Sequence, residues 1–409
     1  MAVTGSGRGG EAAMDNPFRY GDIATGDRFV GREKELAELQ MDMRSGQNVV
    51  IVSPRRYGKT SLVIEAMDRV REQGVLTAYV DMFRTPTKSI LADHLASAIY
   101  RGLLAPVEKA REKALELFHR LPIRPTIVLG PDGQPSMEFS TWTGEQGRSA
   151  EKTLERLLEM PGELARDRNR RVVMVFDEFQ QVVEIDPHLP ALMRSVFQAQ
   201  PEVCHLFLGS RRHLMRKVFT DENEPMYRLA KPMALGPIDP GEFSYYLHDR
   251  FAATGVMVED EAIQELFSIS GGHPYVTLAL AHVTWNLAVT EQLPVTKRLV
   301  GQALGRLLDA EDARYTEVWS RLSPGQRLVA STIAVGTSSG LLSERVRRIY
   351  RLGPASSVQN SISRLVEVDI IESDHQGGYR MVDPLLSAWL SRTVSPYSQQ
   401  IPPGTEPSR

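Results

Sequence analysis

Residues 49–61, Val-Val-Ile-Val-Ser-Pro-Arg-Arg-Tyr-Gly-Lys-Thr-Ser, set an ammonium and a hydroxyl directly behind a glycine. Four β-branched apolar residues lead into the loop, as in a buried strand, and Leu62, Val63, Ala66, Met67 and Val70 follow at helical spacing. A strand, a loop ending Gly58-Lys59-Thr60 and a helix form a cradle for phosphate. Gly58 lets the backbone come close, and the N–H groups at the helix start face the anion. Lys59 reaches the β- and γ-phosphates, and Thr60 holds Mg2+. Ser53, Pro54, Arg55, Arg56, Tyr57, Gly58, Lys59, Thr60 and Ser61 are therefore the candidate nucleotide-contacting residues. The usual pattern opens with glycine, where this chain has Ser53.

Binding phosphate is half of a hydrolytic site; the other half needs acid. The run Val172-Val-Met-Val-Phe-Asp177-Glu178 delivers two carboxylates at the end of an apolar strand. Asp177 is the candidate to join Thr60 in holding Mg2+. Glu178 is the candidate general base, placed to take a proton from the attacking water. Such a pair taken alone also reads as an acidic helix start, favoured by the helix dipole. Beside a phosphate loop, the hydrolytic reading prevails.

Those residues need a sheet to hold them. At 409 residues the chain exceeds the roughly 250–300 that one core supports, so several domains are expected. Strands are predicted at 48–52, 76–81, 171–176, 205–208 and 232–235. Helices are predicted at 32–44, 59–73, 88–103, 107–119 and 151–166. The alternation argues for an α/β fold with a largely parallel, helix-covered sheet over residues 16–237. Residues 121–147 break the pattern and suggest a hairpin insertion about Pro131-Asp-Gly-Gln. Residues 238–312 read as helical, with Asp239 capping a helix start. Residues 313–392 read as three helices, the second over 342–352, and a two-stranded wing: a winged helix. The ends, 1–15 and 393–409, read as disordered.

A net charge of −3 supplies no global pull towards nucleic acid or anionic membrane, and 42% hydrophobic with 24% charged residues is ordinary for a globular protein. No apolar run reaches the ~20 residues of a membrane span. The lone Cys204 excludes a disulfide framework and fits a reducing compartment. A cytoplasmic location is the expectation.

The pairing of 53–61 with 172–178 resembles the additional-strand P-loop NTPases, the AAA+ and STAND group, and more closely the archaeal-type P-loop ATPase family. Four features carry the resemblance in order: Asn16-Pro-Phe-Arg-Tyr20 with Phe29-Val-Gly-Arg-Glu33; the loop at 53–61; Gly209-Ser-Arg-Arg212; and Gly271-Gly-His-Pro274. The resemblance implies ATP and Mg2+ as ligands, a P-loop core, a helical lid and a C-terminal winged helix. It places Val30 and Arg32 near the nucleotide, Ser210 as the residue orienting water, and His273-Pro274 in the lid turn that approaches the nucleotide. Arg211 and Arg212 have two readings, as γ-phosphate sensors or as a solvated helix start. Arg228 stands roughly where AAA+ members carry an arginine finger.

The resemblance and the acid pair together imply a nucleotide-driven switch with slow Mg2+-dependent ATP hydrolysis, a separate protein partner and a homo-oligomer. The alternative is an ATP-dependent DNA-binding initiator, transposition or regulatory protein that uses the winged helix. Its recognition helix offers Gln359, Asn360 and Arg364, and the preceding helix carries Arg345, Arg347, Arg348 and Arg351. The wing itself is not basic, which leaves DNA the weaker-supported partner.

Overall fold

The computed structural model describes residues 15–104, 123–129, 135–141, 148–374 and 377–398. The expected helix at 107–119, the turn at 131–134 and both chain ends lie outside the described residues. By contact density the chain divides into two units: 23–236, and 237 to the end with the N-terminal segment up to Asp22.

The strands of the chain are β1 (Val49–Val52), β2 (Leu76–Asp81), β3 (Ile123–Leu129), β4 (Pro135–Thr141), β5 (Val172–Asp177), β6 (Val203–Gly209), β7 (Lys231–Ala234), β8 (Ile371–Ser373) and β9 (Tyr379–Met381). The sheet of the 23–236 unit has five strands in the order β2-β5-β6-β1-β7. Every pairing in it is parallel. Burial on both faces explains why β1, β5 and β6 read as nearly unbroken apolar runs. Val172, Met174 and Phe176 face one core, and Val173 and Val175 face the other. The second core is closed by α1 (Glu33–Ser45) and α2 (Lys59–Glu72), through Leu36, Leu39, Met43, Leu62, Val63, Ala66, Met67 and Val70. The expected hairpin is present as β3 and β4, antiparallel from Ile123↔Thr141 to Leu129↔Pro135.

The helix expected at 88–103 ends sooner. An α-helix, α3, spans Lys88–Ile99 and widens into a π-helical turn at Tyr100–Leu104. That turn lies against β2, so closely that a Cβ built on Gly102 would stand 2.2 Å from Thr77 O and 2.9 Å from Ala78 Cα. The wider turn sets a glycine against the strand where an ordinary side chain has no room.

In the other unit, Asp239 caps Pro240–Ala253 as expected, its Oδ1 accepting from Gly241 N at 2.9 Å. Two boundaries differ from expectation. Residues 15–22, expected to open the ATPase core, pack among the helices of this unit: Phe18 lies 4.6 Å from Phe251, centroid to centroid, and Asn16 donates to His282 O at 3.0 Å. One helix, Lys297–Ser320, runs straight through the expected junction at 312/313. Beyond it come Pro324–Ala334, Glu344–Ile349 and Ala355–Glu367, the β8–β9 hairpin and Pro384–Ser398. The middle helix is shorter than the expected 342–352: Ser343 caps it, and Arg351 adopts left-handed backbone with φ +52° just beyond its end.

Gly102→Ala forces a methyl group onto the backbone of β2, so we expect a loss of about 1–3 kcal/mol, the usual cost of overpacking. The urea midpoint of purified protein reads it.

Candidate functional site

A parallel sheet presents the C-terminal ends of its strands along one edge, and ligands bind where the strand order reverses. Here β6 lies between β1 and β5, with Val52↔Gly209 and Phe176↔Phe207 in register. The loop after β1, the acid pair after β5 and Ser210 after β6 therefore meet at one edge.

The loop is held in an unusual conformation. Arg56 and Gly58 are both left-handed, with φ +68° and +83°. A Cβ at Gly58 would touch nothing within 4 Å, so the backbone angle is what requires glycine. Gly58 O accepts from Leu62 N at 2.9 Å as α2 begins. The first-turn N–H groups have no carbonyl of their own helix to bond and remain for an anion. Lys59 is buried, and its Nζ donates to Ser53 O at 2.9 Å and Pro54 O at 3.0 Å. An ammonium resting on neutral carbonyls can exchange them for phosphate oxygens, which bind it more strongly. Ser53 is buried and contributes its carbonyl to that cradle. Buried Pro54 and Tyr57 flank Arg55 and Arg56, which are exposed.

Thr60 Oγ1 donates to Asp177 Oδ2 at 3.0 Å. A hydroxyl and a carboxylate are the hard oxygen donors that Mg2+ takes, so this pair fits that ion. Among the described residues no cluster of three or more His, Cys, Asp or Glu offers another metal site. Asp177 is also gripped by two groups that sequence reasoning missed or left unplaced. Tyr79 OH, from the neighbouring strand β2, donates to Oδ2, and Glu178 N donates to Oδ1 at 2.8 Å. Burial first, then the Asp177 charge, raises the Tyr79 phenol well above its ordinary value, so it remains a donor through neutral pH. No local signal marks it, because Tyr79 reaches Asp177 only through the pairing of β2 with β5.

Glu178 breaks the run of extended backbone with φ +52°. Phe179 N donates to Leu208 O at 2.8 Å, and the Phe179 ring packs 4.7 Å from Phe207, which locks the turn. Ser210 Oγ donates to Glu178 Oε2 at 2.8 Å, and Gln180 Nε2 donates to the same oxygen. Sequence reasoning brought Ser210 to this edge and missed Gln180.

The remaining expected residues make contacts of their own. Arg32 is buried as a strut: its guanidinium bonds Tyr57 O at 3.3 Å, Gly236 O at 2.5 Å and Glu35 at 2.9 Å, tying the loop to the end of the unit. Val30 is half-buried beside it. Ser61 Oγ accepts from Ala24 N at 3.0 Å, and so holds the leading segment against α2. Arg211 pairs with Glu184 at 2.7 Å, and Arg228 is exposed over the Tyr227 ring. His273 and Pro274 belong to the other unit, where His273 caps Pro274–Glu291 through Val276 N.

Residues 29–280 match the family described as an ATPase domain predominantly from Archaea. The chain belongs to this family. Residues 313–392 match the domain described as "Probable winged helix domain". Among solved structures, the chain is similar to a Walker-type ATPase of Pyrococcus abyssi, with 17% identity and a TM-score of 0.64, over 91% of this chain and 99% of that one. It is also similar to the ORC2 protein of Aeropyrum pernix in ADPNP–ADP complexes, at 15% identity and TM-score 0.55, over 94% and 98%. At such identities the likeness is one of fold. No curated protein matches in sequence. By family and fold the chain is a P-loop ATPase with a C-terminal winged helix. Among its described residues no helix is long and apolar enough to cross a membrane.

Tyr79→Phe removes a donor to a carboxylate, a bond worth about 1.5–3 kcal/mol. We expect the variant to unfold at lower urea than wild type at pH 8. A raised phenol pKa gives stability that is present below pH 10.0, the ordinary value, and lost above it. The gap between the urea midpoints should therefore narrow at pH 10.5.

Proposed function

We propose that this ATPase binds ATP with Mg2+ and hydrolyses it slowly, as a nucleotide-driven switch whose two states differ by the γ-phosphate. The observation that carries the proposal is the convergence, at one sheet edge, of Lys59, the Thr60–Asp177 pair and a Glu178 carboxylate bonded by Ser210. Lys59 trades Ser53 O and Pro54 O for the β- and γ-phosphate oxygens. Thr60 and Asp177 hold Mg2+, which when bound supplies positive charge to those oxygens. Glu178 takes the proton of the water that attacks the γ-phosphorus as the bond to the oxygen bridging to ADP breaks. Ser210 orients that carboxylate, and through it the water. Arg32 acts at one remove, by bracing Tyr57 and so the loop. The nucleotide complexes named for the Aeropyrum pernix ORC2 protein support ATP as the ligand for this fold.

A protein partner suits the winged helix better than duplex DNA does. Arg364 of the expected recognition helix is paired with Glu367 at 2.6 Å, Arg348 with Glu344 at 2.7 Å, and Arg380 of the hairpin with Glu372 at 2.6 Å. Affinity for DNA comes largely from cations offered to phosphate, and these three already share their charge with carboxylates, whereas Arg345, Arg347 and Arg351 make no ion pair among the described residues. The partner, the homo-oligomer and a cytoplasmic location belong to the proposal on the same footing as the switch.

Lys59→Ala should abolish binding of a fluorescent ATP analogue. Glu178→Gln should bind it normally and lose about 100-fold or more in turnover, the usual share of a general base. Normal hydrolysis by Glu178→Gln would overturn the assignment of the base.

A further inference from the structure

Gln180 is a buried amide, 2% exposed, in the turn that carries Glu178. Its Nε2 donates to Glu178 Oε2, and its own Oε1 is buried with no hydrogen-bond partner. A buried amide oxygen left without a partner destabilises a fold, and an unbranched apolar side chain of similar length avoids that cost. Packing does not call for an amide here. The side chain lies against Gly209, where an added Cβ would come within 2.8 Å of Oε1 and 2.3 Å of Met215 Cγ, so the neighbourhood is already a tight apolar fit. Among the described residues, the bond to Glu178 is the only one the Gln180 side chain makes.

That bond changes what the carboxylate can do. The backbone of Glu178 is fixed by its left-handed turn, by Glu178 N on Asp177 Oδ1 and by Phe179 N on Leu208 O. What remains free is rotation of the side chain, above all the broad terminal torsion of the carboxylate. Ser210 Oγ on Oε2 leaves that torsion open, because the group can swing about a single bond. A second donor on the same oxygen, Gln180 Nε2, closes it. Oε1 of Glu178 then has no protein donor among the described residues and is left to accept a proton.

We infer that Gln180 is a positioning residue for ATP hydrolysis: it holds Glu178 by Oε2 so that Oε1 takes the proton of the attacking water. The inference rests on the reading of Glu178 as the general base. It accounts for a group that weakens the fold in terms of the reaction, since small misplacements of a catalytic group are costly.

The test is Gln180→Met in the full chain, with wild type and Glu178→Gln beside it. In Gln180→Met we expect kcat for ATP to fall about 10- to 100-fold, with KM and the affinity for a fluorescent ATP analogue within about twofold of wild type. The thermal midpoint should stay close to that of wild type, because loss of the donor to Glu178 is offset by removal of the orphaned acceptor. A kcat equal to or above wild type overturns the inference. So does loss of analogue binding alongside kcat, since that marks a merely structural amide. If Glu178→Gln is inactive while Gln180→Met is fully active, this inference falls alone. If Glu178→Gln hydrolyses ATP normally, or wild type binds ATP and never hydrolyses it, the base assignment falls with it.

Discussion

Thr60 opens the helix that follows β1 and Asp177 ends β5, two strands that do not pair, and their 3.0 Å hydrogen bond holds only if the strand between them is in place. Insertion of β6 between β1 and β5 sets the loop and the acid pair two strand spacings apart, about 9–10 Å across the sheet. The start of α2 must then lean over β6 to bring Thr60 to Asp177. Register matters as much as order. A one-residue slip of β5 would turn its buried Val173 and Val175 onto the opposite face and withdraw Asp177 from the edge. Because both faces of β5 are fully buried, the cores themselves forbid the slip.

Two departures from easy backbone and one from full hydrogen bonding lie at this edge. Arg56 and Glu178 hold positive φ without being glycine, and Gln180 leaves an acceptor unpaired. Such features persist where the surroundings over-determine them, and they cluster at functional sites. An unpaired buried group is not by itself a sign of function, and His205 shows why. Its Nε2 is also unpartnered, burial pushes its pKa down to about 3, and its ring stacks 3.9 Å from Phe197. Neutral and enclosed by aromatic rings, it acts as a core residue. Gln180 differs because its one bond goes to a carboxylate at the edge where phosphate would bind.

What the sequence made legible was what local spacing encodes. Gly58-Lys59-Thr60 after a β-branched run, and Asp177-Glu178 after another, needed no knowledge of the sheet. Tyr79 and Gln180 did: the first bears on Asp177 only because β2 pairs with β5, and the second reaches Glu178 only because that residue turns left-handed. Neither strand neighbours nor the sign of φ at a non-glycine residue is written in a local pattern. Arg32 illustrates a subtler limit. Its position near the loop was readable, but its role as a strut depends on Tyr57 O and on Gly236 O, which lies far along the chain. Residues 15–22 misled for the same reason, since Phe18 finds its core in Phe251 rather than in the strands that follow it in sequence.

The helix Lys297–Ser320 constrains how a signal could travel within the second unit. It packs on the helices that precede it, Asp260–Ser270 and Pro274–Glu291, and its later turns belong to the winged helix, with no break between. Tyr315 OH donates to Asp383 at 3.1 Å, Trp389 Nε1 donates to Asp312 at 2.8 Å, and the Tyr315 and Trp389 rings lie 5.9 Å apart. Burial, then the Asp383 charge, raises the Tyr315 phenol above its ordinary value, so this joint remains hydrogen-bonded across the neutral range. A flexible linker here would let the winged helix move independently of the helices before it. A continuous helix packed against both Pro274–Glu291 and Pro384–Ser398 ties the two sets of helices together instead.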